Sequence, residues 1–192
     1  MKECFQYLGK EIFPFDELKT YLRADLEATL SQFFSPQEAL KGIPIMRRKY
    51  EEVYLDRTHF MDGAEEVLRT LHSDGVIMGI ASNKFGHFSR GVLTHLGVSD
   101  YFRSVIGAGD VARNMPFPDM VHTALKEMDL PSEEAIFVGD TLTDIETGKQ
   151  AQVDVYSLPT GFHSREELSR GKPKRLLKNL RELVQVAKNP LS

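Results

Sequence analysis

A regular alternation of short apolar runs with amphipathic helical stretches, from Asp62 onward, constrains this chain more than any other feature. The apolar runs predict strands at residues 76–81, 104–108, 135–138 and 153–158. Strands that alternate with crossover helices form a parallel sheet covered on both faces. The pattern therefore predicts an α/β fold, and reactive side chains are expected at the carboxyl ends of the strands.

The first 60 residues predict helices instead. Leucines recur at helical spacing from Asp16, which indicates an amphipathic helix with one buried stripe. A second helix is predicted from Ser35, because Ser35 can cap it, Pro36 suits the first helical position and Glu38 completes a capping box. A third helix is predicted over residues 44–56.

The last 30 residues predict two further helices. Ser164 and Glu167 offer a capping box, and Leu177, Leu180, Val184 and Ala187 recur at helical spacing. The last helix also carries basic residues, and a solvated outer face explains them better than a polyanion site in an acidic chain. These residues are Lys174, Arg175, Lys178 and Arg181.

Charge and composition exclude several classes of protein. The 192 residues contain 24 Lys and Arg against 28 Asp and Glu, and a net charge of -4 disfavours binding to nucleic acid by phosphate neutralisation. Cys4 is the single cysteine, so an internal disulfide is excluded. No apolar run reaches the roughly 18 residues that span a bilayer. We expect a cytoplasmic protein with neither a nucleic acid nor a membrane as partner.

Two of the predicted strand ends carry candidate site residues. Gly139 and Asp140 follow an apolar strand, and Asp144 lies four residues later near the start of a helix. Two such carboxylates can hold Mg²⁺, although a helix cap at Thr141 explains them equally well. At the other strand end, Ser82 and Asn83 can form an anion pocket with the backbone of the next helix, or serve as an ordinary cap.

These motifs, in this order, resemble motifs II, III and IV of the haloacid dehalogenase-like hydrolases, in the branch of phosphoglycolate phosphatase and beta-phosphoglucomutase. The matching strings are Ser82-Asn83-Lys84, then Pro116-Phe117-Pro118-Asp119, then Gly139-Asp140-Thr141 with Asp144. The resemblance covers nearly the whole chain. It implies a Rossmann-like parallel-sheet core at residues 59–192 and a small helical cap at residues 1–58.

The resemblance also implies a chemistry. Family members hydrolyse small phosphate monoesters with Mg²⁺ through an aspartyl-phosphate. Ser82 and Asn83 would hold the phosphoryl group of a small phosphorylated metabolite, and Asp140 with Asp144 would hold the metal. The catalytic aspartate of motif I, in an apolar strand ending in Asp-x-Asp-Gly-Thr, has no counterpart in this sequence, and Met115 stands where the family has lysine.

Three interpretations follow from these departures. The chain could belong to a longer phosphatase whose first strand is omitted, with activity absent or impaired in the chain as written. It could be a pseudoenzyme of this fold that serves binding or assembly. The string from Gly107 to Ala112 could be a dinucleotide fingerprint, but Asn114, Pro116 and Pro118 deny it an immediate helix start.

The resemblance places the missing strand between the strands that end at Ala81 and Val138. Without it, two apolar sheet edges would carry unpaired backbone groups. If the two strands closed the gap by pairing directly, Ser82 and Asp140 would approach each other by about 4.8 Å. Self-association through the unpaired edges is the other outcome left open.

Overall fold

The computed structural model of the chain describes residues 2–11 and 26–188. The chain divides into two compact units, Met1–Thr58 and His59–Ser192. The first unit is helical and the second is an α/β unit. Within the described residues, none of the helices is long and apolar enough to cross a membrane.

The first unit contains helices α1 (Lys2–Tyr7), α2 (Leu26–Ser31) and α3 (Pro36–Val53). Their shared core contains Cys4, Phe5, Leu30, Phe34 and Ala39. At Gly42, α3 passes so close to α1 that an added Cβ would lie 2.6 Å from the sulfur of Cys4. The helix predicted from Asp16 falls largely outside the described residues, and α2 is its described part.

Helix α3 differs from the prediction of two separate helices at its position. Its start is as predicted, because Ser35 and Glu38 form the capping box and Pro36 is the first helical residue. The helix then continues through Pro44. Pro44 has no N–H to donate to the carbonyl of Leu40. Because Leu40 is 70% exposed, water can donate a hydrogen bond to that carbonyl instead, and the helix is not broken.

The second unit confirms the α/β prediction and all four predicted strands, whose ends differ from the predicted ones by at most four residues. Its elements in chain order are α4 (Ala64–Ser73), β1 (Met78–Phe85), α5 (Gly86–His95), β2 (Phe102–Ala108), α6 (Asp119–Met128), β3 (Ile136–Gly139), α7 (Leu142–Gln150), β4 (Asp154–Ser157), α8 (Arg165–Arg170), β5 (Arg175–Leu176) and α9 (Glu182–Lys188). The predicted end of α4 is also confirmed, since Gly75 follows it with φ of +74°.

The strands form two parallel sheets. Strand β1 pairs with β2 in one sheet, and the other has the order β3-β4-β5. Strands β1 and β3 do not pair with each other, so the direct closure considered from the sequence does not occur. Between them lies a cavity of about 400 Å³, lined by residues 76–81 on one side and 134–138 on the other.

Helices cover both faces of the sheets. Helix α6 contributes most of one apolar cluster, which Ala81 and Phe137 join from the strands. Helices α4 and α9 build a second cluster, which Met78 and Val138 join. Alternate side chains of β1 and β3 therefore face opposite helical layers, as the two-residue period of a strand requires.

The carboxyl-terminal region departs from the predicted helix that began before Leu177. Arg175 and Leu176 form β5, and the helix is limited to α9. The backbone explains the difference, because the N–H of Lys174 donates to Val155 and the N–H of Leu177 donates to Ser157. The capping box of Ser164 and Glu167 on α8 is confirmed.

The basic residues near the carboxyl end are surface groups with acidic neighbours. Lys174 pairs with Asp154, and Arg175 pairs with Glu182. Arg181 contacts both Asp62 and Glu66. These ion pairs agree with the interpretation of a solvated outer face.

Candidate phosphate and metal site

Asp144 holds the loop at the carboxyl end of β3. Its Oδ2 accepts hydrogen bonds from the N–H of Asp140 at 3.1 Å, the N–H of Thr141 at 2.9 Å and Oγ1 of Thr141 at 2.6 Å. The N–H of Asp144 donates to Oγ1 of Thr141 at 3.1 Å, which completes a capping box on α7. One oxygen of Asp144 is thus committed to the start of the helix, as the alternative interpretation of a helix cap predicted.

Asp140 lies on this loop with its carboxylate against a second loop. Oγ1 of Thr160 donates to Oδ2 of Asp140 at 3.3 Å. Gly161 passes so close that an added Cβ would lie 2.3 Å from the same oxygen. His163 lies on the same loop, where its protonated form would lower the pKa of Asp140. Its Nδ1 is buried without a hydrogen-bond partner among the described residues.

The loop from Thr160 to His163 was not identified from the sequence. It follows β4, and its approach to Asp140 depends on the pairing of β3 with β4, where Gly139 lies beside Ser157. The sequence contains one local indication of this loop. A Pro-Thr-Gly string directly follows a predicted strand, and such a string is typical of a turn at the carboxyl end of a sheet.

The electrostatics of Asp140 favour a cation. Burial raises the pKa of this carboxyl, and the negative charge of Asp144 raises it further. A positive ion beside the carboxylate would relieve both effects. The described residues contain no group of three or more Asp, Glu, His or Cys side chains arranged for a metal. Mg²⁺ nevertheless fits here, because it commonly keeps several waters and takes one or two protein carboxylates plus substrate phosphate oxygens.

Ser82 and Asn83 lie at the irregular carboxyl end of β1, where the register with β2 shifts after Ser82. The Oγ of Ser82 accepts from the N–H of Lys84 at 3.2 Å. Asn83 spans the backbone of Met115: its Nδ2 donates to the carbonyl at 3.1 Å, and its Oδ1 accepts from the N–H at 3.0 Å. The amide of Asn83 therefore positions the loop before α6.

Met115 and Arg113 occupy that loop without replacing the family's lysine. Met115 packs against the apolar cluster of α6. Arg113 forms a two-pronged contact with Asp119, at 3.1 and 2.8 Å, and stacks over Phe117 with its guanidinium carbon 4.7 Å from the ring centre. The guanidinium holds the pKa of Asp119 below its usual value. The positive charge of Arg113 is thus used locally.

The string from Gly107 to Ala112 has a structural role. The Oδ2 of Asp110 accepts from the N–H of Gly107 at 2.9 Å and from Arg90 at 3.0 Å. Helix α6 begins only at Asp119. A dinucleotide site needs a helix start immediately after the glycines, so the structure disfavours that interpretation.

Comparison with known proteins places these features in a family. A phosphoglycolate phosphatase of Pseudomonas fluorescens strain Pf-5 is 29% identical over 147 residues, which is 77% of this chain and 54% of that protein. A phosphoglycolate phosphatase of Photobacterium profundum is 28% identical over 196 residues, with coverage of 97% and 86%. The chain thus spans only about half of the Pseudomonas relative.

Solved structures share the fold. A haloacid dehalogenase-like hydrolase from Streptococcus pneumoniae matches with a TM-score of 0.85 at 20% identity, over 95% of this chain and 85% of that one. The model of the family described as haloacid dehalogenase-like hydrolase matches residues 1–158. The chain therefore belongs to the haloacid dehalogenase-like hydrolase family.

Proposed function

We propose that this chain carries the phosphate and Mg²⁺ site of a phosphatase for small phosphate monoesters, similar to the phosphoglycolate phosphatases. The main support is the position of Asp140, which directly follows β3 and has a half-buried carboxylate whose protonation is favoured by burial and by Asp144. A carboxylate in that state gains more from a bound cation than an exposed one does. The similarity to two phosphoglycolate phosphatases supports the substrate class.

The residues would divide the work by position. Asp140 would hold Mg²⁺, which supplies charge neutralisation for a phosphate ester when bound. Asp144 would contribute chiefly by keeping the loop of Asp140 in place, since one of its oxygens already accepts three hydrogen bonds. The hydroxyl of Ser82 would donate to a phosphate oxygen. Asn83 would have to leave the backbone of Met115 to do the same.

We expect turnover by this chain to be absent or impaired. The sequence has no counterpart of the catalytic aspartate of motif I, and Met115 supplies no positive charge. A second candidate function, binding or assembly without catalysis, is favoured by the same observations. The two candidates differ in one property: a phosphatase-type site binds phosphate through Mg²⁺, and an assembly protein need not.

Calorimetry can separate the two candidates. The purified chain is titrated with MgCl₂ at millimolar concentration, and then with inorganic phosphate and 2-phosphoglycolate in the presence of Mg²⁺. We expect Mg²⁺-dependent binding of both anions. Asp140→Asn should abolish it, and the matched control Asp154→Asn should not, because Asp154 pairs with Lys174 on the surface. Absence of Mg²⁺ binding by the unmodified chain would overturn the proposed metal site.

Hydrolysis of p-nitrophenyl phosphate tests the expectation about turnover. With Mg²⁺, the unmodified chain should hydrolyse it no faster than the Asp140→Asn variant does. Hydrolysis that requires Mg²⁺ and disappears in Asp140→Asn would contradict the expected impairment and make the chain a working phosphatase. If the chain shows neither anion binding nor hydrolysis, that result favours the assembly function.

A further inference from the structure

The loop of residues 159–163 is anchored at both ends beside the candidate metal site. Before the loop, the N–H of Leu158 donates to the carbonyl of Gly139 at 3.0 Å, which ties the end of β4 to the end of β3. After the loop, the N–H of Ser164 donates to Oε2 of Glu167 at 2.8 Å, and the capping box of these two residues fixes the start of α8. Because both ends are hydrogen-bonded to regular elements, few conformations remain open to the residues between them. The fold therefore sets the positions of the side chains on this loop.

Two residues of the loop contact the carboxylate of Asp140. Oγ1 of Thr160 donates to Oδ2 of Asp140 at 3.3 Å, and this hydrogen bond opposes the rise in the pKa of Asp140 that burial causes. An added Cβ on Gly161 would lie 2.3 Å from Oδ2 and 3.4 Å from Oδ1. Both contacts favour an ionised carboxylate in one orientation, with Oδ2 nearer to the loop than Oδ1.

The glycine at position 161 has a steric reason rather than a conformational one. Its backbone is not among those with positive φ, so the turn itself does not require glycine. The three atoms nearest to an added Cβ all belong to the carboxyl group of Asp140. A side chain at position 161 would therefore push this carboxylate away from the loop.

Mg²⁺ is sensitive to the orientation of a carboxylate ligand. It demands near-ideal octahedral geometry, whereas Ca²⁺ accepts irregular coordination. Groups that hydrogen-bond to a ligating carboxylate orient it, and their loss typically weakens metal binding by about 10-fold to 100-fold. A hydroxyl that holds Asp140 would consequently matter more for Mg²⁺ than for Ca²⁺.

We propose that Thr160 is a positioning residue for the metal carboxylate of Asp140, and that Gly161 keeps open the space this orientation needs. Thr160 acts through its hydrogen bond to Oδ2 and contacts neither the metal nor the substrate. Without the hydroxyl, the carboxylate keeps its charge and its burial but loses its orientation. The inference rests on the proposed function, because it assigns Thr160 a role toward the ion that Asp140 holds.

Calorimetric titration with MgCl₂ and, separately, with CaCl₂ tests this role. Thr160→Val keeps the size and branching of the side chain but removes the donor, and it should weaken Mg²⁺ binding about tenfold. Binding of Ca²⁺ should weaken by about threefold at most, because its coordination is more flexible. Thr160→Ser keeps the hydroxyl and should stay within about twofold of the unmodified chain for both ions. A purely structural role would weaken the binding of both ions by the same factor.

A second variant and a matched control complete the design. Gly161→Ala keeps the hydroxyl of Thr160 but displaces the carboxylate, so Mg²⁺ binding should weaken by about tenfold or more. Thr70→Val is the control, because Oγ1 of Thr70 donates to the carbonyl of Glu66 within α4; its Mg²⁺ affinity should stay within about twofold. Residues 160 and 161 are exposed, so both loop variants should fold, and circular dichroism in EDTA checks this.

The outcomes distinguish this inference from the proposed function. If Thr160→Val binds Mg²⁺ as tightly as the unmodified chain, or if Thr160→Ser fails to restore binding, the role of Thr160 is overturned and the metal site stands. Equal losses for Mg²⁺ and Ca²⁺ also overturn it, because they make Thr160 a structural residue. Absence of Mg²⁺ binding by the unmodified chain overturns the proposed function itself, and the positioning role with it.

Discussion

Replacing Asp144 with alanine separates a structural role from a metal-binding one. In the absence of metal, the variant loses the three hydrogen bonds that Oδ2 of Asp144 accepts from Asp140 and Thr141. Hydrogen bonds to a charged group contribute about 1.5–3 kcal/mol each when buried, and loss of a helix cap costs about 1 kcal/mol. These bonds are only partly buried and close together, so they are not additive. We expect a total loss of about 2 kcal/mol.

Unfolding in EDTA measures this loss. The chain has no tryptophan, so helix circular dichroism is the suitable signal. A loss of about 2 kcal/mol corresponds to a decrease in Tm of roughly 4–8 °C for a chain of this size. Asp144→Asn keeps a neutral acceptor and should lose about half as much. Glu146→Ala, an exposed position on the same helix, should stay within about 0.5 kcal/mol of the unmodified chain.

A small effect of Asp144→Ala in EDTA would refute this reasoning. If Asp144 served the metal alone, the variant would match Glu146→Ala without metal and would be less stable only when Mg²⁺ is present. The hydrogen bonds predict the opposite: the destabilisation is already complete in EDTA. Comparing the loss of stability in EDTA with the loss in Mg²⁺ therefore decides whether Asp144 stabilises the loop or binds the ion.

Three further changes test other parts of the structure. Asp140→Asn should stabilise the metal-free chain at pH 7, because burial and a neighbouring carboxylate raise the pKa of Asp140 in the folded chain. Urea unfolding should show that this gain in the free energy of unfolding disappears as the pH falls through the folded pKa toward the unfolded value of about 3.9. Asn83→Ala should cost about 1 kcal/mol and speed amide exchange at Met115, whose N–H loses its acceptor; unchanged exchange would contradict the contact. Gly148→Ala should cost about 1–3 kcal/mol in chemical denaturation, since a Cβ would lie 2.2 Å from Cγ2 of Val155, and Val155→Ala in the same chain should recover part of it.

The features that local sequence determines were predicted correctly. The capping boxes at Ser35 and Ser164 require residues only three positions apart, and both are present. The strand that contains Ser82 and the strand before Asp140 were recognised because a buried strand needs several consecutive apolar residues. The helix cap at Thr141, considered as the alternative to a metal site, is also local and is present.

The features that were missed depend on distant partners. Strand β5 has two residues, and it exists because the backbone of β4 offers it hydrogen bonds. The contact of Thr160 with Asp140 joins residues 20 positions apart in the chain, across two neighbouring strand ends. Pro44 indicated a helix boundary by its own chemistry, but α3 continues through it, because the carbonyl left without a donor belongs to the exposed residue Leu40. No pattern within a short window contains such information.

The width of the cavity between β1 and β3 affects the site at the carboxyl ends of these strands. Ser82 lies in β1 just before its register with β2 shifts, and Asp140 follows β3, so the distance between the two strands sets the space between the two side chains. One strand in the cavity would keep β1 and β3 two strand spacings apart, roughly 9.6 Å. That width leaves room for a cation and a tetrahedral anion between a hydroxyl and a carboxylate. Direct pairing of β1 with β3 would halve the width and exclude both ligands. The spacing of β1 and β3 thus determines whether Ser82 and Asp140 can act on one phosphate.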